Sequence, residues 1–157
     1  MINKKVILLF THTIVLIMGF ALGVYFLPIL TAPKSLDVST INEYEQKASY
    51  QTEFVKELKG SDFLHWGEAK VTISDDKVTV NGSIAPGPDY KLYLTNQFVE
   101  HEDEFLPIKS EAKYVAEVKT FKNFVINIPS DININDYNTV VIWCERFEEF
   151  ITAAKYQ

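Results

Sequence analysis

The chain has 157 residues, a formal charge of −6, one cysteine, 47% hydrophobic and 23% charged residues. That length suits one domain plus an appendage, and it is too short for a TIM barrel or a two-domain dehydrogenase. A single cysteine excludes an internal disulfide framework and any CxxC metal or redox pair. The charge is unevenly placed. Met1 to Leu30 hold two lysines, no acid and 21 hydrophobic side chains, whereas the other 127 residues hold 13 basic and 21 acidic side chains, a net of −8. This acidic balance argues against nucleic acid as a partner, since phosphate binding needs clustered Lys and Arg.

Asn3, Lys4 and Lys5 precede an uncharged run of 25 residues from Val6 to Leu30. The run exceeds the roughly 20 residues that cross a hydrocarbon core as helix. It is also longer than the apolar region of a cleavable signal, and Leu30-Thr31-Ala32 puts leucine where a cleavage site needs a small residue. A lipoprotein anchor is excluded because Cys144 lies near the other end. The segment therefore predicts an uncleaved anchor, with the lipid bilayer as partner of residues 6–30. Lys4 and Lys5 keep the N-terminus cytoplasmic by the positive-inside rule. The expected location is the cell membrane, single-pass, with the rest of the chain periplasmic or extracellular. His12 sits inside the span, where hydrogen bonding to backbone is the plain expectation and function the sharper one. Gly19 and Gly23 make a GxxxG spacing, a weak signal for helix pairing.

Thr31 to Thr40 reads as a short linker. Ser39 or Thr40 is placed to cap a helix, with Glu43 completing a capping box from Thr40. Ile41, Tyr44, Ala48, Tyr50, Phe54, Val55 and Leu58 recur at roughly helical spacing, and Gly60 supplies a stop. A stalk helix is the expectation, either lifting a domain from the bilayer or packing on it.

After Gly60 the period changes to two. Runs at 69–73 and 77–80 flank the turn Ser74-Asp75-Asp76, and further strands are predicted at 90–95, 112–118, 123–128, 139–145 and 150–155. Asn81-Gly82 and Ala85-Pro86-Gly87-Pro88-Asp89 are breakers between them. About seven short strands with little helical period predict a mainly β domain, an antiparallel sandwich or barrel-like fold of seven to eight strands. The organisation is then a stub and anchor over 1–30, a linker and stalk helix over 31–59, and a β domain over 60–157.

Cys144 carries the most chemistry. Alternation places Val140, Ile142 and Cys144 on one face of its strand, and Val141, Trp143 and Glu145 on the other. A cysteine without an internal partner is either a small buried hydrophobe or a redox thiol or thiolate ligand. Arg146 favours the thiolate if the strand continues that far, and Glu145 opposes it. His65, in Ser61-Asp62-Phe63-Leu64-His65-Trp66, is either a structural histidine at the start of a sheet or a group flanking a cofactor. His101, within Glu100 to Glu104, reads as a solvated loop. Asp131, Asn133 and Asn135 fit the first positions of a calcium loop, but Asp136 and Ile142 break its pattern. No metal site is predicted. A thiol-hydrolase triad of Cys144, His65 and an acid has no motif behind it, and Asn81-Gly82-Ser83 is formally a glycosylation acceptor.

Three segments taken in order resemble the DM-thirteen domain family, the electron-transfer DM domain, over about residues 60–156. They are Gly60-Ser61-Asp62-Phe63 with Gly67-Glu68-Ala69-Lys70-Val71; Asn81-Gly82-Ser83 through Pro86-Gly87-Pro88-Asp89-Tyr90-Lys91-Leu92-Tyr93-Leu94; and Val140-Val141-Ile142-Trp143-Cys144-Glu145-Arg146-Phe147 with Phe150-Ile151-Thr152-Ala153-Ala154-Lys155-Tyr156. The resemblance implies a β-rich extracytoplasmic module acting in electron transfer, with Cys144 as its hallmark cysteine. It implies Cys144 as a bare thiol or as ligand to a prosthetic group such as haem, with His65 opposite, since Met1 and Met18 lie in or before the anchor. A redox partner protein is expected on the same grounds. The competing expectation is a non-catalytic surface binding or structural β-domain in which Cys144 is core.

Overall fold

The structure, a computed structural model, describes residues 3–157; Met1 and Ile2, part of the expected cytoplasmic stub, lie outside them. Helix α1 (Lys4–Thr31) is capped by Asn3, whose side chain accepts from the Lys5 amide. Its 28 residues carry a mean hydropathy of 2.3 over the most apolar window and bury none of their side chains in the protein. It is long and apolar enough to cross a membrane, a property shared by an anchor and a signal sequence. Inside it, His12 Nδ1 donates to the Leu8 carbonyl at 2.7 Å, so the buried-polar cost of that histidine is met within the helix.

The expected helix after the linker is present but short. Helix α2 (Val38–Glu45) stops before Ala48, and Tyr50–Phe54 forms strand β1 instead. The apolar residues of this stretch satisfy both periods, and pairing with β2 (Gly67–Ile73) decides between them, in a register that sets Tyr50 opposite Ile73 and Phe54 opposite Ala69. The helix lies on the sheet rather than standing off it. Ile41 is fully buried, and Glu45 accepts from Lys70 at 2.7 Å and from Asn81 at 2.8 Å. The same contact occupies the amide of the Asn81-Gly82-Ser83 acceptor sequence.

Eight strands follow the predicted period-two runs, with β1 added. The others are β3 (Lys77–Ile84), β4 (Tyr90–Thr95), β5 (Lys113–Val118), β6 (Lys122–Asn127), β7 (Thr139–Cys144) and β8 (Glu149–Lys155). They make two antiparallel sheets, ordered β1-β2-β3-β6 and β5-β4-β7-β8. The fold is a mainly β sandwich, as the strand pattern predicts. The hairpin turn at Ser74 to Asp76 closes with the Ser74 amide on the Lys77 carbonyl at 2.9 Å. Gly82, at φ +146°, sits where β3 bulges against β6, and a Cβ there would lie 2.4 Å from the Glu68 carbonyl oxygen.

The main core lies between the sheets, with Val71, Ile73, Val78 and Val80 facing Leu92, Leu94, Val140 and Ile142. A second apolar cluster covers the outer face of the other sheet. There the four-residue helix α3 (Glu102–Phe105) and the loop around Leu58 cover Tyr93, Val141, Trp143 and Phe150. Strand β7 is therefore buried on both faces, which explains its unbroken apolar run.

The α2 latch has a pH signature. Burial alone pushes the Glu45 carboxyl up, but the Lys70 and Asn81 hydrogen bonds outweigh it and hold the group below the ordinary 4.5. A carboxylate depressed in the folded state contributes stability above its unfolded value and loses it as pH falls through the folded one. Glu45→Gln should cost about 1 kcal/mol at pH 7, given the half-exposed Lys70. Urea denaturation of the full chain in detergent should show this gap closing below pH 4.5; a gap independent of pH contradicts the latch.

Candidate functional site

Cys144 is the last residue of β7, and its cross-strand partner is Tyr90, the first residue of β4. Directly paired residues project to the same face with Cβ atoms about 5 Å apart, so thiol and phenol are neighbours by register. The chain reaches Tyr90 through Pro86-Gly87-Pro88-Asp89, a segment with two backbone requirements. Asp89 takes φ +57° and its carbonyl accepts from the Glu145 amide at 3.0 Å, which joins the start of β4 to the end of β7. Gly87 lies under the tyrosine ring, where an added Cβ would stand 2.3 Å from the phenol oxygen. The thiol Sγ of Cys144 donates to the Pro88 carbonyl at 3.1 Å.

His65 arrives from the loop before β2, which is folded by one carboxylate. Asp62 Oδ1 accepts from the Leu64 and His65 amides, both at 2.7 Å, and Oδ2 contacts His65 Nδ1 at 3.1 Å. Burial pushes the Asp62 carboxyl up, but these amides and the imidazole outweigh it and keep it below its ordinary value. The anchored residue borders a hollow of about 290 Å³ lined also by Cys144, Tyr90 and Phe147. The structure thus brings Cys144 and His65 to one hollow, walled on one side by Ala21, Val24 and Tyr25 of α1. His101 lies elsewhere; its ring caps α3 by accepting from the Asp103 amide at 3.2 Å.

Two electrostatic expectations change. Strand β7 ends at Cys144, so Arg146 does not share the cysteine's face. It lines a neighbouring hollow, and only its backbone amide favours the thiolate. Glu145 faces the other way, as alternation predicts, and is occupied by Tyr93 and by Lys109 at 2.7 Å. The carboxylates that oppose ionisation of the thiol are Asp89 and Glu149. Burial is the larger cause. It pushes the Cys144 thiol up despite the Phe147 and Arg146 amides, so the group holds its proton at neutral pH.

Tyr90 is the residue that sequence reasoning misses. It is 3% exposed, borders the hollow, and its hydroxyl has no hydrogen-bond partner among the described residues. Burial pushes its phenol well up, and the adjacent Cys144 adds to the effect. Both groups beside the hollow are therefore proton donors.

The hollow does not fit a haem. Axial ligation needs open approach to the sulfur, whereas Cys144 is 2% exposed and its Sγ is turned to the Pro88 carbonyl. At about 290 Å³ the space is at the small end of ligand pockets.

The two packed sheets and the single thiol at the end of a doubly buried strand define a small β-sandwich module built around one buried cysteine. The chain belongs to the Electron transfer DM13 family, whose model matches residues 53–156. No curated protein and no solved structure matches it.

Alkylation kinetics follow from the burial of the thiol. With iodoacetamide, the rate at Cys144 should rise along a pH profile whose midpoint lies above the roughly 8.5 of a free thiol, while the unfolded chain titrates at the free value. A native midpoint at or below 8.5 contradicts the protonated, buried thiol.

Proposed function

We propose that the chain is a membrane-anchored, extracytoplasmic electron-transfer module in which Cys144 works as a bare thiol. Family membership supports the electron-transfer role, and the apolar, uncharged α1 behind Lys4 and Lys5 supports an anchor with the domain outside. The observation that carries the thiol is its position at the wall of a hollow, beside an unpaired phenol and an anchored imidazole. A cysteine serving only as core filler needs no such surroundings.

The protonation state sets the form of the chemistry. Oxidation of a thiol that holds its proton breaks the S–H bond, so one electron and one proton leave together for an acceptor. A one-electron acceptor at the hollow, brought by a redox partner or a small molecule, takes the electron, and solvent or the acceptor takes the proton. Glu145 does not interfere, since Lys109 and Tyr93 neutralise it on the opposite face.

Ferricyanide titration tests the reading on the full chain in detergent. Wild type should consume one equivalent beyond that taken by Cys144→Ser, with the two melting temperatures within about 4 °C of each other, the scale of 1 kcal/mol in a domain this size. Equal consumption by the two chains would support the competing surface β-domain with a core cysteine.

A further inference from the structure

We infer that the hollow beside Cys144 binds a lipophilic, carbonyl-bearing ring of the quinone class drawn from the bilayer. This inference rests on the membrane-anchored reading of α1, and three independent features carry it.

The first is an unsatisfied donor. A phenol hydroxyl with no protein partner is free to donate to an acceptor on a ligand. Tyr90 presents such a hydroxyl beside the hollow, and the lining around it is otherwise mostly apolar. A carbonyl on a ring of modest size meets both properties. The hollow suits a single substituted ring rather than a macrocycle.

The second is depth. Counted from Val6, the roughly 20 residues that cross a hydrocarbon core end at Tyr25. Ala21, Val24 and Tyr25 wall the hollow, which places it at the outer boundary of the apolar layer. Tyr25 stands where an interfacial aromatic belongs. A ligand arriving there comes from lipid, where a water-soluble metabolite does not accumulate.

The third is the rim. Phe147 is 54% exposed, and Phe63, two residues before His65, is 85% exposed. Phe147 and Leu64 line the hollow, and Phe63 precedes Leu64 in the chain. Large apolar side chains left in water at a loop tip are unfavourable unless something apolar covers them. Bilayer contact covers them and leaves the opening of the hollow facing lipid.

The test is thermal unfolding of the full chain in phosphatidylcholine nanodiscs, with and without decylubiquinone, whose fully substituted ring does not add thiols. A ligand that binds only the native state raises the melting temperature by mass action. Wild type should gain at least 2 °C at saturation, about the shift of a clear binding event for a chain of this size. Tyr90→Phe, which keeps the ring and loses the hydroxyl, should fall short of that gain by half or more. Benzoate, a ring carrying a carbonyl but confined to water, should give none. No shift in wild type, as when a lipid acyl chain already fills the space, overturns the inference. An equal shift in wild type and Tyr90→Phe overturns it too. A decylubiquinone shift in a chain that fails the ferricyanide test keeps this site and removes the thiol role. Ferricyanide consumption without a shift does the reverse.

Discussion

Strand β7 carries six consecutive buried side chains, and the position of the candidate site depends on that burial. Val140 and Ile142 pack into the space between the sheets, while Val141 and Trp143 pack under Phe105 and Phe150 on the outer face. A strand held on both faces, with β4 and β8 hydrogen-bonded along its edges, has little freedom to slide. Its end is therefore fixed, and Cys144 is fixed with it. The cross-strand register then determines that Tyr90 is the neighbour of the thiol, and the Glu145 to Asp89 hydrogen bond locks the corner where both strands meet.

The chemistry of the thiol follows from that placement. Depth in the sandwich edge removes water from Sγ, and the Asp89 and Glu149 carboxylates add to the cost of ionising it. The Phe147 and Arg146 amides lean the other way without overcoming it. This cysteine is not the exposed, low-pKa nucleophile of a thiol hydrolase. Its S–H is directed at a carbonyl and its neighbour is a phenol that also keeps its proton. Such a pair suits the proposed chemistry, in which electron and proton move together.

Much of this was legible in the sequence, for identifiable reasons. Period-two alternation and the Ser74-Asp75-Asp76 turn placed the strands after Gly60, whereas the burial of β7 on both faces depends on α3 and the Leu58 loop covering the outer one. The opposite orientations of Cys144 and Glu145 followed from alternation alone. Strand β1 was not legible, because Tyr50 and Phe54 fit a helical stripe and a strand equally well until β2 supplies a partner. Tyr90 was hidden for a related reason. Register between β4 and β7 is a long-range property, and neither strand encodes which residue of the other it faces. The convergence of His65 on the same hollow likewise depends on how a loop folds around Asp62, with Leu64 and His65 amides closing on one carboxylate.

The central claim is that Cys144 is a redox group that gives up an electron and a proton together. Protein-film voltammetry of the full chain over a range of pH measures this directly. One wave is predicted, absent in Cys144→Ser, whose potential falls by about 59 mV per pH unit, the value for one electron coupled to one proton. A wave that persists without the thiol, or a potential that does not move with pH, contradicts it.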